Sequence, residues 1–115
     1  MILPGEIYFA DFGTFGPHPV IVISRESLNR GNYVVVVVCT SSRFQERRRM
    51  ANCVVFKAGE FGFTTDCVAQ SESITSMSKT RIDFGSGLIG KVNPMKLREI
   101  NKAIGHVMAC DCEPA

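Results

Sequence analysis

Side chains able to do acid–base or anion chemistry fall in a few places along the chain. His18 stands between Pro17 and Pro19. An imidazole titrates near neutral pH and can take or give a proton. A residue that precedes proline is pushed toward extended backbone, which puts this ring at the mouth of a strand. Thr40, Ser41 and Ser42 close an apolar run, where hydroxyls can donate to a phosphate oxygen. Ser and Thr also close strands and open turns with no other role. Arg43-Phe44-Gln45-Glu46-Arg47-Arg48-Arg49 follows, with four arginines against one glutamate in a chain whose net charge is only +2. Such a run can follow a phosphate backbone, with Phe44 as a stacking surface, or it can be a solvated charged loop. Glu72 could serve as a base or be an ordinary exposed strand residue. His18 likewise has the plain alternative of a half-exposed loop histidine.

Other chemistry is poorly supported. Apolar residues make up 45% of the 115, enough to build a core, and charged residues at 21% exclude a disordered polyelectrolyte. That length suits one domain, read here as residues 1–115. The five cysteines have no Cys-x-x-Cys spacing, and Cys39, Cys53 and Cys67 lie in apolar runs as small hydrophobes. A reducing cytoplasm is the simplest setting for that odd number of thiols. Cys110 and Cys112 supply two thiolates, short of a tetrahedral metal site. No cluster of Asp, Glu or His suggests a metal, and no cofactor is expected. The opening MILPGEIYF lacks the pattern of a signal peptide. The longest apolar run, Tyr33 to Cys39, is too short to cross a bilayer, so no membrane role is expected.

These residues must be held by a largely β framework. Strands are expected at 6–10, 19–24, 33–40, 52–56 and 67–70, the last continuing through 71–77, with a short one at 88–92. Five consecutive valines within Tyr33–Thr40 mark a strand buried on both faces. Glycines between the runs supply turns. The period then changes. Asn93-Pro94 opens a helix as N-cap and first turn, and Leu97, Ile100, Ile104, Val107 and Met108 share one face of it, leaving His106 in solvent. Many strands and one packing helix point to a small barrel whose open side the helix covers.

The order of short strings resembles the MazF/PemK toxin family. Gly5-Glu6-Ile7-Tyr8 with Asp11-Phe12 matches that family's first strand. His18-Pro19-Val20-Ile21-Val22-Ile23-Ser24 resembles its Arg-Pro-Val-Leu-Val-Val-Ser, and Leu28-Asn29-Arg30 follows. Cys39-Thr40-Ser41-Ser42 stands for Leu-Thr-Ser. Ala58-Gly59-Glu60, Gly62 and Asp66-Cys67-Val68-Ala69 are similar to Ala-Gly-Glu-x-Gly…Asp-Ser-Val-Ala, and Lys79-x-Arg81-Ile82 with the terminal helix completes the match over about residues 4–108.

The resemblance implies a mainly β, SH3-like small barrel of the CcdB/PemK type with a C-terminal α-helix. It implies a homodimeric endoribonuclease toxin of a type II toxin–antitoxin system, cutting single-stranded mRNA without a metal and silenced by a cognate antitoxin. Cleavage of that kind uses the ribose 2′-hydroxyl and needs a base, a phosphorane-stabilising donor and an acid. The resemblance assigns this chemistry to Thr40 and to position 18, where His18 replaces the family arginine. Arg43 is the candidate for the lost guanidinium, so the expected catalytic set is His18, Thr40 and Arg43. Ser41, Ser42, Phe44, Arg47, Arg48, Arg49 and Glu72 form the expected RNA-binding set. A second family arginine is replaced at Thr75, Ser73 stands where glutamine is usual, and the loop between Asp11 and His18 is shorter than usual. These departures keep a second reading open: a non-catalytic module that binds RNA or an antitoxin, or inhibits gyrase as CcdB does.

Overall fold

The computed structural model describes residues 1–109; Cys110 and Cys112 lie outside them. Six strands form one antiparallel sheet: β1 (Glu6–Asp11), β2 (Pro17–Val22), β3 (Tyr33–Thr40), β4 (Cys53–Phe56), β5 (Cys67–Ser78) and β6 (Gly90–Lys91). Their order across the sheet is β4-β5-β3-β2-β1-β6. Three helices accompany them: α1 (Glu26–Asn29), α2 (Phe44–Arg47) and α3 (Pro94–Val107). The architecture is the expected mainly β fold with one long C-terminal helix, a sheet curled into a half-barrel. The two single-turn helices went unread, being too short to show a period.

β3 is the axis of the sheet. Its adjacent residues Val36 and Val37 are both fully buried yet belong to different cores. Val37 and Cys39 pack with Ile7, Ile21, Phe56 and the helix residue Ile100. Val34 and Val36 pack on the other face with Tyr8, Val20, Val22 and Met77. Side chains alternate across a strand, so a valine run serves both faces at once. The long helix starts as its sequence dictates, with the Asn93 Oδ1 accepting from the Lys96 N–H at 2.8 Å and proline in the first turn. Ile100 and Ala103 are its buried positions, and Leu97 and Ile104 pack beside them. Met108, expected on this stripe, lies past the last helical residue and is 67% exposed. His106 faces solvent as expected.

The sheet's two end strands are brought together by backbone packing. A Cβ on Gly62 would sit 2.1 Å from the Ile89 carbonyl oxygen, and one on Gly90 would sit 1.7 Å from that of Phe61. Only glycine allows the turn after β4 to press so closely on the chain entering β6. The seam fixes the wall of the site described next.

Candidate active site

The site forms where the β2–β3 ladder stops. Ile23 donates its N–H to the Val35 carbonyl on β3 at 2.9 Å. Backbone groups alternate sides along a strand, so residues 21, 19 and 17 also face β3. Positions 19 and 17 are prolines and have no N–H to give. The last β2–β3 pair is accordingly Val20↔Val38. Past it, β2 stays on β1 through Pro19↔Phe9, Ala10↔His18 and Asp11↔Pro17. β3 meanwhile stays on β5 through Cys39↔Ala69 and Thr40↔Val68. The strands diverge, with His18 on one lip and Thr40 on the other.

Two hollows meet at this split, and His18, Thr40 and Ser42 line both. One, of about 450 Å³, runs under Phe9, Pro19, Phe63 and Ile89 and reaches Ser41, Thr64 and Thr65. The other, of about 780 Å³, is walled by Phe12, Phe15, Arg47, Arg81 and Thr75. The first has no Asp, Glu, Lys or Arg in its lining, and the second has two arginines.

His18 is half-buried, its ring edge-on to Phe12 at a centroid distance of 5.5 Å. Its Nε2 lies 3.1 Å from the Phe15 carbonyl oxygen. A carbonyl only accepts, so Nε2 carries the proton and donates, leaving Nδ1 as the basic nitrogen of the neutral ring. The Thr40 Oγ1 accepts from the Ser42 N–H at 3.2 Å, which leaves its own hydroxyl proton to donate. Two thiols of the smaller hollow are held protonated. Burial, reinforced by Cys67, pushes the Cys39 thiol well above its ordinary value. Burial, reinforced by Asp66, raises Cys67 to about 11. A protonated thiol is a poor nucleophile and a poor metal ligand. Among the described residues no three His, Cys, Asp or Glu side chains converge as a metal set.

A family model described as a PemK-like, MazF-like toxin of type II toxin–antitoxin systems matches residues 3–108. The chain belongs to this toxin family. Solved structures agree in fold. An endoribonuclease in complex with its cognate antitoxin from a mycobacterial species is 24% identical, with a TM-score of 0.80 over 98% of this chain and 100% of that one. The Mycobacterium tuberculosis toxin MazF-mt6 is 19% identical, with a TM-score of 0.77 over 92% and 98%. A MazE–MazF complex from Deinococcus radiodurans is 16% identical, with a TM-score of 0.72 over 93% and 94%. No curated protein matches the sequence.

The MazF-like sheet gathers only part of the expected site. His18, Thr40, Ser41, Ser42 and Arg47 line the hollows. Arg47 also donates from Nη1 to the Ser42 carbonyl at 2.9 Å, which fastens α2 beside Thr40. Arg43 is not brought in. It adopts left-handed backbone (φ 53°) as N-cap of α2, is exposed, and lines neither hollow. Arg48 and Arg49 are also outside both linings. The expected stacking role of Phe44 needs correction. Phe44 is buried, with the Arg48 guanidinium 5.5 Å and the Lys57 ammonium 5.3 Å from its ring centre. Its ring anchors α2 and holds two cations, leaving no free face for a base.

Glu72 is diverted by a bulge. β5 pairs with β3 at Gln70↔Val38 and then at Ile74↔Val37, so residues 71–73 are looped out. Glu72 there accepts from the Asn52 Nδ2 at 2.8 Å and from the Gln70 Nε2 at 3.4 Å, outside both hollows.

Arg81 was the residue the sequence did not assign. It donates from Nε and Nη2 to the Asp11 carbonyl at 3.1 and 2.8 Å, and its guanidinium lies 5.3 Å from the Phe12 ring centre. It stands in the larger hollow with Thr75. Phe15, 83% exposed in the same wall, offers the free aromatic face that Phe44 does not. A partner 70 residues away in sequence leaves no local pattern to read; the Lys79-x-Arg81 string was the one available signal.

Proposed function

We propose that this chain is a metal-independent endoribonuclease toxin of a type II system, cutting single-stranded mRNA by 2′-hydroxyl attack. Family membership supports the class. The carrying observation is that His18 and Thr40 face each other across one split in the sheet, with Arg47 and Arg81 alongside.

In this reading the His18 Nδ1 takes the ribose 2′-hydroxyl proton as that oxygen bonds to phosphorus. The Thr40 hydroxyl donates to a non-bridging oxygen, where charge builds in the phosphorane. The bond to the 5′-oxygen then breaks, and that oxygen takes a proton from the imidazolium formed in the first step. A 2′,3′-cyclic phosphate and a 5′-hydroxyl result. Arg47 and Arg81 hold the flanking phosphates, Ser41 and Ser42 add donors, and Arg43, Arg48 and Arg49 supply a more distant positive field. The protein is read as one cytoplasmic domain that works as a homodimer and is held by a cognate antitoxin. The described residues contain no helix long and apolar enough to cross a membrane.

The test is incubation of the purified protein with mixed-sequence single-stranded RNA in EDTA, beside His18→Ala and Thr40→Ala. Cutting should persist in EDTA and fall by about 10² to 10⁴ in either variant. Cutting that stops in EDTA and returns with magnesium contradicts metal independence. Absence of cutting in every preparation, with RNA or partner binding intact, makes the chain a binding module.

A further inference from the structure

The contacts that hold the His18 ring come from the turn between β1 and β2. The Phe15 carbonyl accepts from Nε2 at 3.1 Å. The Phe12 ring stands edge-on to the imidazole at 5.5 Å. Behind Phe12 lies the Arg81 guanidinium, 5.3 Å from the ring centre and tied to the Asp11 carbonyl. The turn is also closed on itself. Phe12 donates its N–H to the Gly16 carbonyl at 3.2 Å, and Gly16 donates to the Gly13 carbonyl at 3.0 Å. Gly13 in turn donates to the Asp11 Oδ1 at 2.8 Å.

Gly16 is the pivot of this turn. Its backbone lies at φ 76° and ψ −176°, a combination open essentially to glycine alone. An added Cβ would meet nothing within 4 Å. A side chain at this position is therefore opposed by backbone conformation and not by crowding. Pro17 follows with its φ fixed by the ring, and then His18 itself. Gly16 lines neither hollow, so any effect it has on cleavage runs through the ring that it aims.

We infer that this turn is a bracket for the general base, and that Gly16 and Phe12 are positioning residues. Gly16 sets the Phe15 carbonyl against Nε2, and Phe12, backed by Arg81, sets the plane of the ring. The inference rests on the endoribonuclease reading above, in which Nδ1 takes the 2′-hydroxyl proton. An imidazole works as a base only in the right tautomer, and the bond made by its other nitrogen selects it. That bond stays in place through both proton transfers. It strengthens as the ring becomes imidazolium, because a charged donor makes the stronger hydrogen bond. The carbonyl thus orients the ring and favours its charged form when the reaction creates it, the part that a carboxylate plays in a Ser-His-Asp triad.

The experiment uses the full chain assembled by ligation at Cys39, with glycine, Gly16→Ala or Gly16→D-Ala in the synthetic segment. The two alanines have the same atoms, but the D form is at ease at positive φ and the L form is not. Each protein cuts one single-stranded RNA oligonucleotide in EDTA at a temperature where it is folded, and kcat and KM are measured separately. The nuclear Overhauser contact between the Phe12 and His18 rings is recorded for each. Gly16→Ala should lower kcat about 10- to 100-fold, as a catalytic group displaced by about 1 Å does. Its KM should stay within about twofold, and the ring contact should be lost. Gly16→D-Ala should match the wild type in all three. Equal kcat for the two alanine proteins, or a raised KM at normal kcat, overturns the bracket and leaves the nuclease reading standing. Should Gly16→Ala fail to fold, Phe12→Leu decides: it must lower kcat at unchanged KM, and a normal kcat overturns the bracket. A wild type that cuts nothing ends the nuclease reading and, with it, any role for the bracket in cleavage. Loss of the ring contact in Gly16→Ala alone would then still show that Gly16 aims the ring, and its absence from the wild type would end that too.

Discussion

The two halves of the β2–β3 pair make opposite use of the same strands. In the half from Val20 to Val22, pairing with Val36–Val38 is continuous, and all three β2 residues are fully buried. In the half from Pro17 to Pro19, pairing to β3 is absent and the strands part around His18 and Thr40. What separates the halves is a pair of backbone donors, removed by proline at alternate positions. The half that closes buries its side chains, and the half that cannot leaves His18 and Thr40 lining open hollows. The closed half also holds both lips in place, since each remains fastened to its outer neighbour, β1 or β5.

The comparison can be broken from either side. The largest effect is expected in the closed half. Ile21→Ala removes a fully buried side chain from the core beneath α3 and should cost about 2–5 kcal/mol in a denaturant titration. A cost below about 1 kcal/mol would mean that this ladder is not the rigid half. At the open half, Arg81→Ala removes both a groove cation and the tie to the Asp11 carbonyl. Cleavage efficiency should fall about 10- to 100-fold with little change in melting temperature. An unaltered efficiency would return the phosphate role to the α2 arginines.

A smaller effect should follow from Pro19→Val, which restores one N–H toward β3. We expect the new amide at position 19 to exchange slowly, as a ladder-bonded N–H does, and cutting to slow by roughly threefold to tenfold as the lips draw together. An unprotected amide at position 19, with unchanged cutting, would show that the prolines do not make the split.

The smallest effect is in alkali. Burial raises the folded Cys67 thiol from 9.0 to about 11, so its contribution is complete below pH 9. Unfolded chains release that proton first, and stability should decline from pH 9 toward 11. Tyr8, raised from 10.0 to about 12 by burial and its bond to Glu6, adds a further decline between pH 10 and 12. Cys67→Ser should flatten the first of these slopes.

What the sequence made legible follows the same division. The closed half is local in its logic. Valine runs, an Asn-Pro helix start and alternating burial gave β3 its full bounds and placed α3 to within a residue. The placement of Thr40 and His18 was legible because one ends that valine strand and the other precedes a proline. The open half depends on distance. Arg81 reaches Asp11 across the sheet, and the bulge at 71–73 carries Glu72 away from the site, neither with any periodic trace. Phe44 and Arg43 lie away from the hollows for a related reason. A basic run reads as uniformly exposed, whereas α2 tucks its one aromatic into the protein and a left-handed turn sends its first arginine outward.

The central claim is that His18 and Thr40 act together on one phosphodiester through the ribose of the RNA itself. It is tested most directly with a single-stranded RNA oligonucleotide cut in EDTA, compared with the same oligonucleotide carrying one 2′-deoxyribose on the 5′ side of the cut. The account predicts a 2′,3′-cyclic phosphate product from the first and no cutting at that bond in the second. Equal cutting of the two, or a product lacking the cyclic phosphate, would contradict it.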